Sequence, residues 1–507
     1  MDFNWKQLQN GSDIRGVALT GIAGQEVNLD TNIVAQLGKA FYHWIKQKNS
    51  DTKTIKVAVG MDSRLSGPDL KAAFIEALVN SGAEVLDCDM ASTPAMFMTT
   101  VTEPYLAHGA VMLTASHLPF NRNGLKFFTP QGGLEKQDIA DILAIAEVGN
   151  TTDSGKKGTL SEVDFIDVYS KLLVEKIRKE VNSKENYDKP LTGFKLTVDA
   201  GNGAGGFYAH RVLEVLGANV SSSQFLEPDG RFPNHVPNPE DGIAMKSICD
   251  AVKANNSDLG IIFDTDVDRA AIVDEKGNPI NRNELVALSA AIVNEEHPGA
   301  TVVTDSITSD GLAWFINEEL KARHHRFKRG YKNVINEAIR LNEQGEESWL
   351  AIETSGHAAL KENYFLDDGA YLVTKCIIKM AQLKTDGKSL TSLIEKLPVP
   401  AESKEFRINI KAADFKAYGE KVISELGHLA ASRNGWELAP NNYEGVRVSI
   451  STNGTKGWFL LRLSLHDPVI PLNIESDNEG GVEQIACQLL SFFENFSELD
   501  LQSLINR

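Results

Sequence analysis

The sequence is poor in cysteine, and its few cysteines lie far apart. Among 507 residues there are four, Cys88, Cys249, Cys376 and Cys487, with no CxxC pair and no metal-ligand spacing. This pattern excludes a disulfide framework and a cysteine-ligated metal site. We therefore expect buried, reduced thiols and a cytoplasmic location.

Long hydrophobic runs and an excess of positive charge are also absent. Nowhere do about 18 apolar residues stand together, and the N-terminal segment lacks the basic and apolar regions of a signal peptide. Lys and Arg number 51 against 69 Asp and Glu, so the net charge of −18 would repel nucleic acid and anionic membranes. We expect an acidic enzyme with a small-molecule substrate, no nucleic-acid partner and no membrane span.

Short apolar runs alternate with helix-length amphipathic stretches along most of the chain. The runs end in small or acidic residues, as in IKVAVGMDSR (55–64), GAVMLTASH (109–117), FKLTVDAGNG (194–203), LGIIFDTDVDR (259–269) and ATVVTDSIT (300–308). This alternation predicts buried strands that lead into loops, within parallel α/β layers. After residue 397 apolar and polar residues alternate, which predicts a smaller α+β domain with an antiparallel sheet.

Three carboxylates, those of Asp264, Asp266 and Asp268, stand at alternate positions directly after the strand LGIIF. Carboxylates this close repel one another, and a hard divalent cation such as Mg²⁺ relieves the repulsion. An EF-hand loop would place Glu275 at its twelfth position, but Arg269 replaces the glycine at the sixth and the flanks are strand-like. We expect a Mg²⁺ site, with a solvated acidic loop as the alternative.

A second candidate site is LTASHLPFNRNGLKFF (113–128), in which Ser116 and His117 follow a buried strand and Lys126 lies nearby. A phosphoryl group on Ser116 would need a cation close by, and a metal ion would balance its remaining charge. No GxSxG motif surrounds the serine. A nucleophile and a structural serine at a strand end both remain open.

The segment ETSGHAAL (353–360) places Glu353, Ser355 and His357 around Gly356. This mixture of donors and acceptors suits a hydroxyl-rich ligand, and a glycine lets such a ligand approach closely. A structural turn is the alternative interpretation.

The segment GNGAGG (201–206) matches GxGxxG between a predicted strand and a predicted helix, which is the best argument for a nicotinamide-dependent dehydrogenase. That motif needs an acidic residue about 20 residues later. Glu227 lies well beyond this offset, so dinucleotide binding is the weaker hypothesis.

Isolated cations lie in polar loops beside apolar runs: Arg15 in SDIRG, Arg64 in GMDSRLSG, Lys332 in RGYKN and Arg462 in LLRLSLHDP. A guanidinium is well suited to bind a phosphate. Each cation alone is consistent with a solvated surface charge. Together, they would fit a phosphorylated ligand gripped by several domains.

These motifs, taken in order, resemble those of the α-D-phosphohexomutases, the family that contains phosphoglucomutase and phosphomannomutase. The resemblance extends from about residue 11 to 475 through SDIRG, VGMDSRLSG, TASHLPFNRNGLKF, VDAGNGAG, PDGRFPNHVPNPE, DTDVDR, RGYKNV, ETSGH and GWFLLRLSLHDP. It implies three related α/β domains with mixed sheets and a C-terminal α+β domain around a central cleft. The implied domains are 1–158 with a phosphoserine loop, 159–278 with a metal-binding loop, 279–397 with a sugar-binding loop and 398–507 with a phosphate-binding loop.

The resemblance also implies an activity: interconversion of hexose 1-phosphate and hexose 6-phosphate, of glucose or mannose, through a phosphoserine and a bisphosphate such as glucose 1,6-bisphosphate. Ser116 would carry the phosphoryl group and, with Asp264, Asp266 and Asp268, would hold Mg²⁺. Residues around the phosphoryl group that would support proton transfer are Arg15, His117, Lys126 and Arg269. Residues that would contact the sugar or its distal phosphate are Lys332, Glu353, Ser355, His357, Arg462 and Ser464.

The sequence departs from the family pattern in two loops. Leu118 replaces the asparagine of the family's SHNP, His466 replaces a threonine of the phosphate loop, and Pro471 stands where an arginine is expected. We include His466 among the predicted substrate-binding residues, because a charged imidazole could take the place of the arginine. A phosphoglucosamine mutase and a non-catalytic sugar-phosphate-binding protein on the same scaffold remain alternative functions.

Overall fold

A computed structural model describes residues 3–149, 156–452, 454–464 and 467–505. The chain forms two compact units, residues 1–281 with 355–392 and residues 282–354 with 393–507. Within the described ranges, every helix is too short or too polar to cross a membrane.

The first segment of the first unit is an eight-stranded mixed sheet with helices. Its strands are β1 (Gln9–Asn10), β2 (Asp13–Val17), β3 (Lys56–Met61), β4 (Glu84–Met90), β5 (Gly109–Leu113), β6 (Arg122–Thr129), β7 (Gly132–Gly133) and β8 (Thr159–Glu162). Its helices are α1 (Thr31–Lys48), α2 (Gly67–Ser81), α3 (Thr93–Met98), α4 (Lys136–Val148) and α5 (Phe165–Val181). The strand order is β1-β2-β6-β5-β3-β4-β8, with β7 beside β6. Neighbours among β3, β4, β5 and β8 are parallel and the other pairs are antiparallel.

The apolar run of β5 explains its central position. All five of its residues are buried, as expected for a strand with helices on both faces of the sheet. The rings of Phe41 in α1 and Phe127 in β6 pack with centroids 4.9 Å apart in the core. Because β3 and β5 are parallel, their carboxyl ends lie at the same edge of the sheet, and the loops of Arg64 and Ser116 begin there.

The second segment is a smaller mixed sheet. Its strands are β9 (Leu196–Asp199), β10 (Leu259–Phe263), β11 (Ala270–Val273) and β12 (Pro279–Ile280), and α6 (Gly242–Asn255) packs on it. The order is β12-β11-β10-β9, with β9 parallel to β10 and the other pairs antiparallel. Part of the stretch predicted as a helix at 207–217 is a π-helix, Tyr208–Leu213. The hairpin β10–β11 carries the three aspartates at its turn.

The third segment contributes to both units. In the second unit it forms α7 (Arg282–Glu296), β13 (Thr301–Thr304), α8 (Asp310–Trp314), β14 (Arg323–Arg326), α9 (Tyr331–Glu343) and β15 (Ser348–Ile352). Strand β13 pairs in parallel with β14 and β15, which confirms the predicted parallel α/β layer. In the first unit it forms the antiparallel pair β16 (Ala358–Leu360) and β17 (Leu366–Asp367), followed by α10 (Gly369–Lys384).

The C-terminal segment, in the second unit, is an antiparallel sheet with helices. Its elements are β18 (Glu402–Ile410), α11 (Phe415–Ser432), β19 (Trp436–Leu438), β20 (Val446–Thr452), β21 (Thr455–Leu461), β22 (Val469–Ser476), α12 (Gly481–Phe493), β23 (Leu499–Asp500) and α13 (Gln502–Ile505). The strand order is β19-β20-β21-β22-β18-β23. The predicted fold class, three α/β domains with mixed sheets and a C-terminal α+β domain, is confirmed. The domain boundaries and the central cleft stay predictions.

The four cysteines all lie in the described ranges and form no disulfide there, but only three of them are buried. Cys487 is exposed, so the expectation of four buried thiols is wrong at this position. The reason is the helical period of α12, whose core-facing residues are Val482, Ile485, Ala486 and Leu489. Position 487 falls on the opposite face.

A buried ion pair joins His235, in the loop before α6, to Asp199 at the end of β9. Nε2 of His235 lies 3.1 and 3.0 Å from the two carboxylate oxygens of Asp199, and Nδ1 lies 2.9 Å from the carbonyl oxygen of Val236. Both partners are acceptors, so both ring nitrogens carry protons and the ring is charged. Burial opposes this charge, but the hydrogen bonds to Asp199 raise the pKa of His235 above its ordinary value.

We expect this ion pair to stabilise the protein at low pH and to lose its effect at high pH. Its contribution is complete below the pKa of an unfolded histidine, about 6.5, and disappears as the pH rises through the raised pKa of the folded state. In urea unfolding, the midpoint of the wild type should fall between about pH 6 and pH 9 relative to that of His235→Gln. The exposed His210, changed to Gln, is the control. Equal pH slopes for wild type and His235→Gln would contradict a charged His235.

Candidate active site

Ser116 lies in the turn that joins β5 to β6, and its backbone is left-handed, with φ +50°. The residue is buried, and its N–H donates to Thr114 Oγ1 at 2.9 Å. Gly124 in β6 makes this turn possible, because a Cβ there would lie 2.3 Å from the carbonyl oxygen of Ile14 and 2.9 Å from that of Thr114. Gly124 pairs with Arg15 of β2, so the serine turn and Arg15 meet at one edge of the sheet.

The three aspartates form a compact, buried cluster at the turn of the hairpin β10–β11. One carboxylate oxygen from each of Asp264, Asp266 and Asp268 lies within 4.8 Å of the others, and all three residues are at most 1 % exposed. Between them, Val267 has a φ of +69°, which is strained for a β-branched residue. Strain of this kind persists where the surrounding structure fixes the backbone, and it is concentrated at functional sites.

Two cations balance part of this negative charge. Lys126 of β6 donates to Asp266 Oδ2 at 2.8 Å and to Asp268 Oδ2. Arg269 donates to Asp264 Oδ2 from Nε at 3.1 Å and from Nη2 at 2.9 Å. Two cations in direct contact with three carboxylates leave a negative charge in a buried site.

The pKa values of two of these aspartates shift in opposite directions. Burial and the neighbouring Asp268 and Asp266 raise the pKa of Asp264 well above its ordinary value. Burial opposes ionisation of Asp268 too, but Lys126, His357 and Arg269 hold the pKa of that carboxyl far below its usual range. One carboxyl of the cluster is therefore poorly compensated as a carboxylate.

The donor set of the cluster fits a hard divalent cation. Oδ1 of Asp266 and Oδ1 of Asp268 are buried and have no hydrogen-bond partner among the described residues. Unpaired buried carboxylate oxygens are costly unless a cation or a donor reaches them. Carboxylate oxygens are the ligands that Mg²⁺ prefers, so the aspartates fit the predicted ion.

The hydroxyl of Ser116 lies at the edge of this cluster. Its Oγ donates to Asp264 Oδ2 at 2.9 Å and accepts from Arg269 Nη2 at 2.7 Å. Nδ1 of His117 lies 3.3 Å from the same oxygen. Burial, together with Arg269 and Arg15, lowers the pKa of His117 to about 2, so the imidazole is neutral, and its Nδ1 accepts from Arg269 Nη2 at 2.5 Å.

The loop after β15 brings His357 to the aspartate hairpin. Gly356, with φ +92°, would place a Cβ 2.5 Å from the carbonyl oxygen of Ala270, and the Ala270 N–H donates to the Gly356 carbonyl at 3.3 Å. The close approach that this glycine permits is therefore to the hairpin backbone, whereas the sequence predicted an approach by a ligand. Nδ1 of His357 lies 2.6 Å from Asp367 Oδ2 and 4.0 Å from Asp268 Oδ1.

Most of the other residues predicted to contact the ligand lie in the second unit. Lys332 lies in the first turn of α9, and Glu353 is buried with its carboxylate accepting from the Gly330 N–H at 2.5 Å. Arg462 Nη2 lies 4.0 Å from Glu405 Oε2, and the Ser464 N–H donates to the Val469 carbonyl at 3.0 Å. Ser355 is a buried residue of the first unit. His466 lies outside the described residues, so its predicted role stays a prediction.

Sequence reasoning missed two residues of the first-unit site. Thr93, at the start of α3, donates from Oγ1 to Asp266 Oδ2 at 2.6 Å across 173 positions of sequence. No local signal marks it. Asp367 contacts His357, and the acidic pair with Asp368 before a helix could have drawn attention to it, since Asp368 caps α10.

Asp266→Asn should weaken Mg²⁺ or Mn²⁺ binding by at least about tenfold, because the variant loses a charged oxygen ligand. Isothermal titration calorimetry measures the affinity. Glu275→Gln is the matched control, since it removes an exposed carboxylate just beyond β11 and should leave the affinity unchanged. Equal affinities for wild type and Asp266→Asn would place the ion elsewhere.

Comparison with known proteins identifies the family. Three profiles match the chain: phosphoglucomutase/phosphomannomutase, alpha/beta/alpha domain I over residues 6–152, domain II over 169–277 and domain III over 281–400. A phosphomannomutase/phosphoglucomutase of Pseudomonas aeruginosa is 33% identical over 431 residues, 85% of each chain. A phosphoglucomutase of Neisseria gonorrhoeae is 28% identical over 478 residues, 94% of this chain and 95% of the other.

A solved structure gives the same result. The phosphoglucomutase/phosphomannomutase family protein of Burkholderia thailandensis superposes with a TM-score of 0.76 at 26% identity and covers 96% of each chain. Sequence and fold therefore agree over nearly the whole length. The chain belongs to the phosphoglucomutase/phosphomannomutase family.

Proposed function

We propose that this protein interconverts hexose 1-phosphates and hexose 6-phosphates, with glucose and mannose phosphates as substrates, through a phosphoryl group carried on Ser116. The observation that carries the proposal is the Ser116 hydroxyl, 2.7 Å from Arg269 Nη2 and 2.9 Å from an oxygen of the buried aspartate cluster. The similar proteins named phosphoglucomutase and phosphomannomutase/phosphoglucomutase support the substrate class.

The reaction would consist of two phosphoryl transfers. The first moves a phosphoryl group from Ser116 to the sugar, and the second moves the phosphoryl group at the other sugar position back to Ser116. First, a sugar hydroxyl oxygen attacks the phosphorus on Ser116. The new oxygen–phosphorus bond forms as the Oγ–phosphorus bond breaks, and the hydroxyl proton ends on Oγ. The product is a 1,6-bisphosphate, for example glucose 1,6-bisphosphate. After this intermediate turns around, Ser116 Oγ takes the other phosphoryl group and returns its proton to the sugar oxygen.

The residues around Ser116 suit these steps. Arg269 already donates to Oγ, so its guanidinium would neutralise the charge that spreads over the phosphoryl oxygens during transfer. His117 is neutral, and its Nδ1 lies 3.3 Å from Oγ and accepts from Arg269 Nη2 at 2.5 Å, so the ring would orient this guanidinium beside the reacting oxygen. Arg15 donates to the Ala115 carbonyl at 3.1 Å and to Asp13 at 3.1 Å, which fixes a second guanidinium beside the serine turn.

Mg²⁺ would be held by Asp264, Asp266, Asp268 and the phosphorylated Ser116, and when bound it would neutralise charge on the phosphoryl oxygens. Lys126, which contacts two of these aspartates, would hold their side chains in place as ligands. The chain's own side chains therefore hold the phosphoryl group from one side and orient it toward the sugar.

The remaining predicted contacts would recognise the substrate. Residues assigned to the sugar are Lys332, Glu353, Ser355 and His357, and those assigned to its distal phosphate are Arg462 and Ser464. The four cysteines, none of which forms a disulfide in the described ranges, support a cytoplasmic site of action. Because the protein is acidic overall, a sugar phosphate would bind through local cations such as Lys332 and Arg462.

Ser116→Ala should reduce conversion of glucose 1-phosphate to glucose 6-phosphate by about 10⁴-fold or more, because the variant has no oxygen to carry the phosphoryl group. A coupled assay with Mg²⁺ and a trace of glucose 1,6-bisphosphate measures the rate, and parallel assays with mannose 1-phosphate and glucosamine 1-phosphate rank the substrates. Ser170→Ala is the control, since Ser170 is also buried and its hydroxyl donates to the Ile166 carbonyl within α5.

Full activity in Ser116→Ala would contradict the phosphoserine route. Binding of hexose phosphate by the wild type without any isomerisation would support the non-catalytic alternative instead. A strong preference for glucosamine 1-phosphate would replace the proposed glucose and mannose substrates.

A further inference from the structure

Arg64 follows β3 and is enclosed in the protein, with its side chain inaccessible to solvent. A cation in this loop was predicted to be a phosphate ligand or a surface charge, and the structure gives it neither environment. We infer that Arg64 is a positioning residue for phosphoryl transfer, which holds the Ser116 loop in its reactive conformation by binding the loop's carbonyl groups. This inference rests on the proposed function of Ser116.

Four carbonyls of one loop converge on this guanidinium. Nη2 donates to the carbonyl oxygens of Ser116 and of Leu118, the latter at 2.6 Å. Nη1 donates to those of Pro119 and Arg122, each at 2.9 Å. The bonds span the loop from Ser116 to Arg122, the first residue of β6. A planar group with several fixed donors can hold four carbonyls in one arrangement, which the single ammonium of a lysine cannot.

Two neighbours keep the guanidinium in place. Asp62, also buried, accepts from the Arg64 N–H at 2.9 Å and has its second oxygen 3.4 Å from Nε. The ring of Phe232 covers the guanidinium, with its centroid 5.4 Å from Cζ. A charge paired, stacked and bonded in this way is fixed in orientation, so it can define the orientation of the loop around it.

The direction of these bonds matters for the reaction. In a planar trans peptide the C=O and the following N–H point in opposite directions. The Ser116 carbonyl points at Arg64, so the N–H of His117 points away from it. The hydrogen bonds from Arg64 also fix the left-handed backbone of Ser116, φ +50°, and with it the position of Oγ beside Arg269. Loss of these hydrogen bonds would let Ser116 Oγ move out of line for attack, although every group that touches the substrate would still be present.

Arg64→Lys keeps the charge and loses most of the carbonyl contacts. We expect its kcat to fall about 100-fold while KM for glucose 1-phosphate changes little, because misplacement of a reacting atom by about 1 Å has effects of this size. The rate at which glucose 1,6-bisphosphate phosphorylates Ser116, followed by intact mass, should fall in parallel. In Arg64→Ala, methylguanidinium at a non-denaturing concentration should restore part of both rates.

Hydrogen exchange of the peptide covering 116–123 provides a readout that does not depend on activity. It should accelerate in Arg64→Lys, whatever the substrate of the protein proves to be. Arg447→Lys is the matched control, because Arg447 is also buried and donates to the carbonyls of Ser306 and Thr308, each at 3.0 Å, in the second unit. It should lower the melting temperature without changing exchange of 116–123 or the phosphorylation rate of Ser116.

The inference and the proposed function can fail separately. An inactive wild type whose loop exchanges faster in Arg64→Lys would reject the proposed function and retain Arg64 as the holder of the loop. An active wild type whose loop exchange and phosphorylation rate are unchanged in Arg64→Lys would overturn the inference. A variant that only melts earlier, with normal kcat, would show that Arg64 serves stability alone and would overturn it equally.

Discussion

Electrostatic repulsion among three buried carboxylates is the constraint on which the first unit's candidate site depends. Asp264, Asp266 and Asp268 bring their oxygens within 4.8 Å of one another, away from water. Lys126 and Arg269 offset part of the charge, and the remainder favours one more cation. In the proposed function, a phosphoryl group on Ser116 would add negative charge to this site, and Arg269 and a bound Mg²⁺ would offset it.

The backbone reaches this arrangement only with strain and with support from distant segments. Ser116 and Val267 both have left-handed φ values, and each lies in the turn that follows a buried strand. Contacts from elsewhere in the first unit hold them: Thr93 bonds Asp266, and Arg64 bonds the carbonyls around Ser116. Preorganisation of this kind reduces the rearrangement needed during transfer, because the donors and carboxylates are already in place before substrate binds.

Local sequence patterns predicted what local physics controls. Apolar runs that end in small or acidic residues correctly predicted the strands before Ser116 and Asp264, and alternating residues predicted the antiparallel C-terminal sheet. Contacts between distant segments left no such signal, so Thr93 was missed, and Arg64 was interpreted only as a surface charge or a phosphate ligand. Helical periodicity could have shown that Cys487 faces outward, but composition alone could not. The ligand contacts of Arg462 and Ser464 depend on where the substrate lies, which no pattern of residues encodes.

A phosphoryl chase tests the central claim most directly. The protein is phosphorylated with glucose 1,6-bisphosphate, freed of small molecules and mixed with glucose 6-phosphate in the presence of Mg²⁺, and its intact mass is followed together with the sugar products. The account predicts that the protein loses one phosphoryl group from Ser116 as glucose 1,6-bisphosphate appears in equal amount. A protein that never gains the group at Ser116, or that keeps it in the presence of the sugar phosphate, would contradict the account.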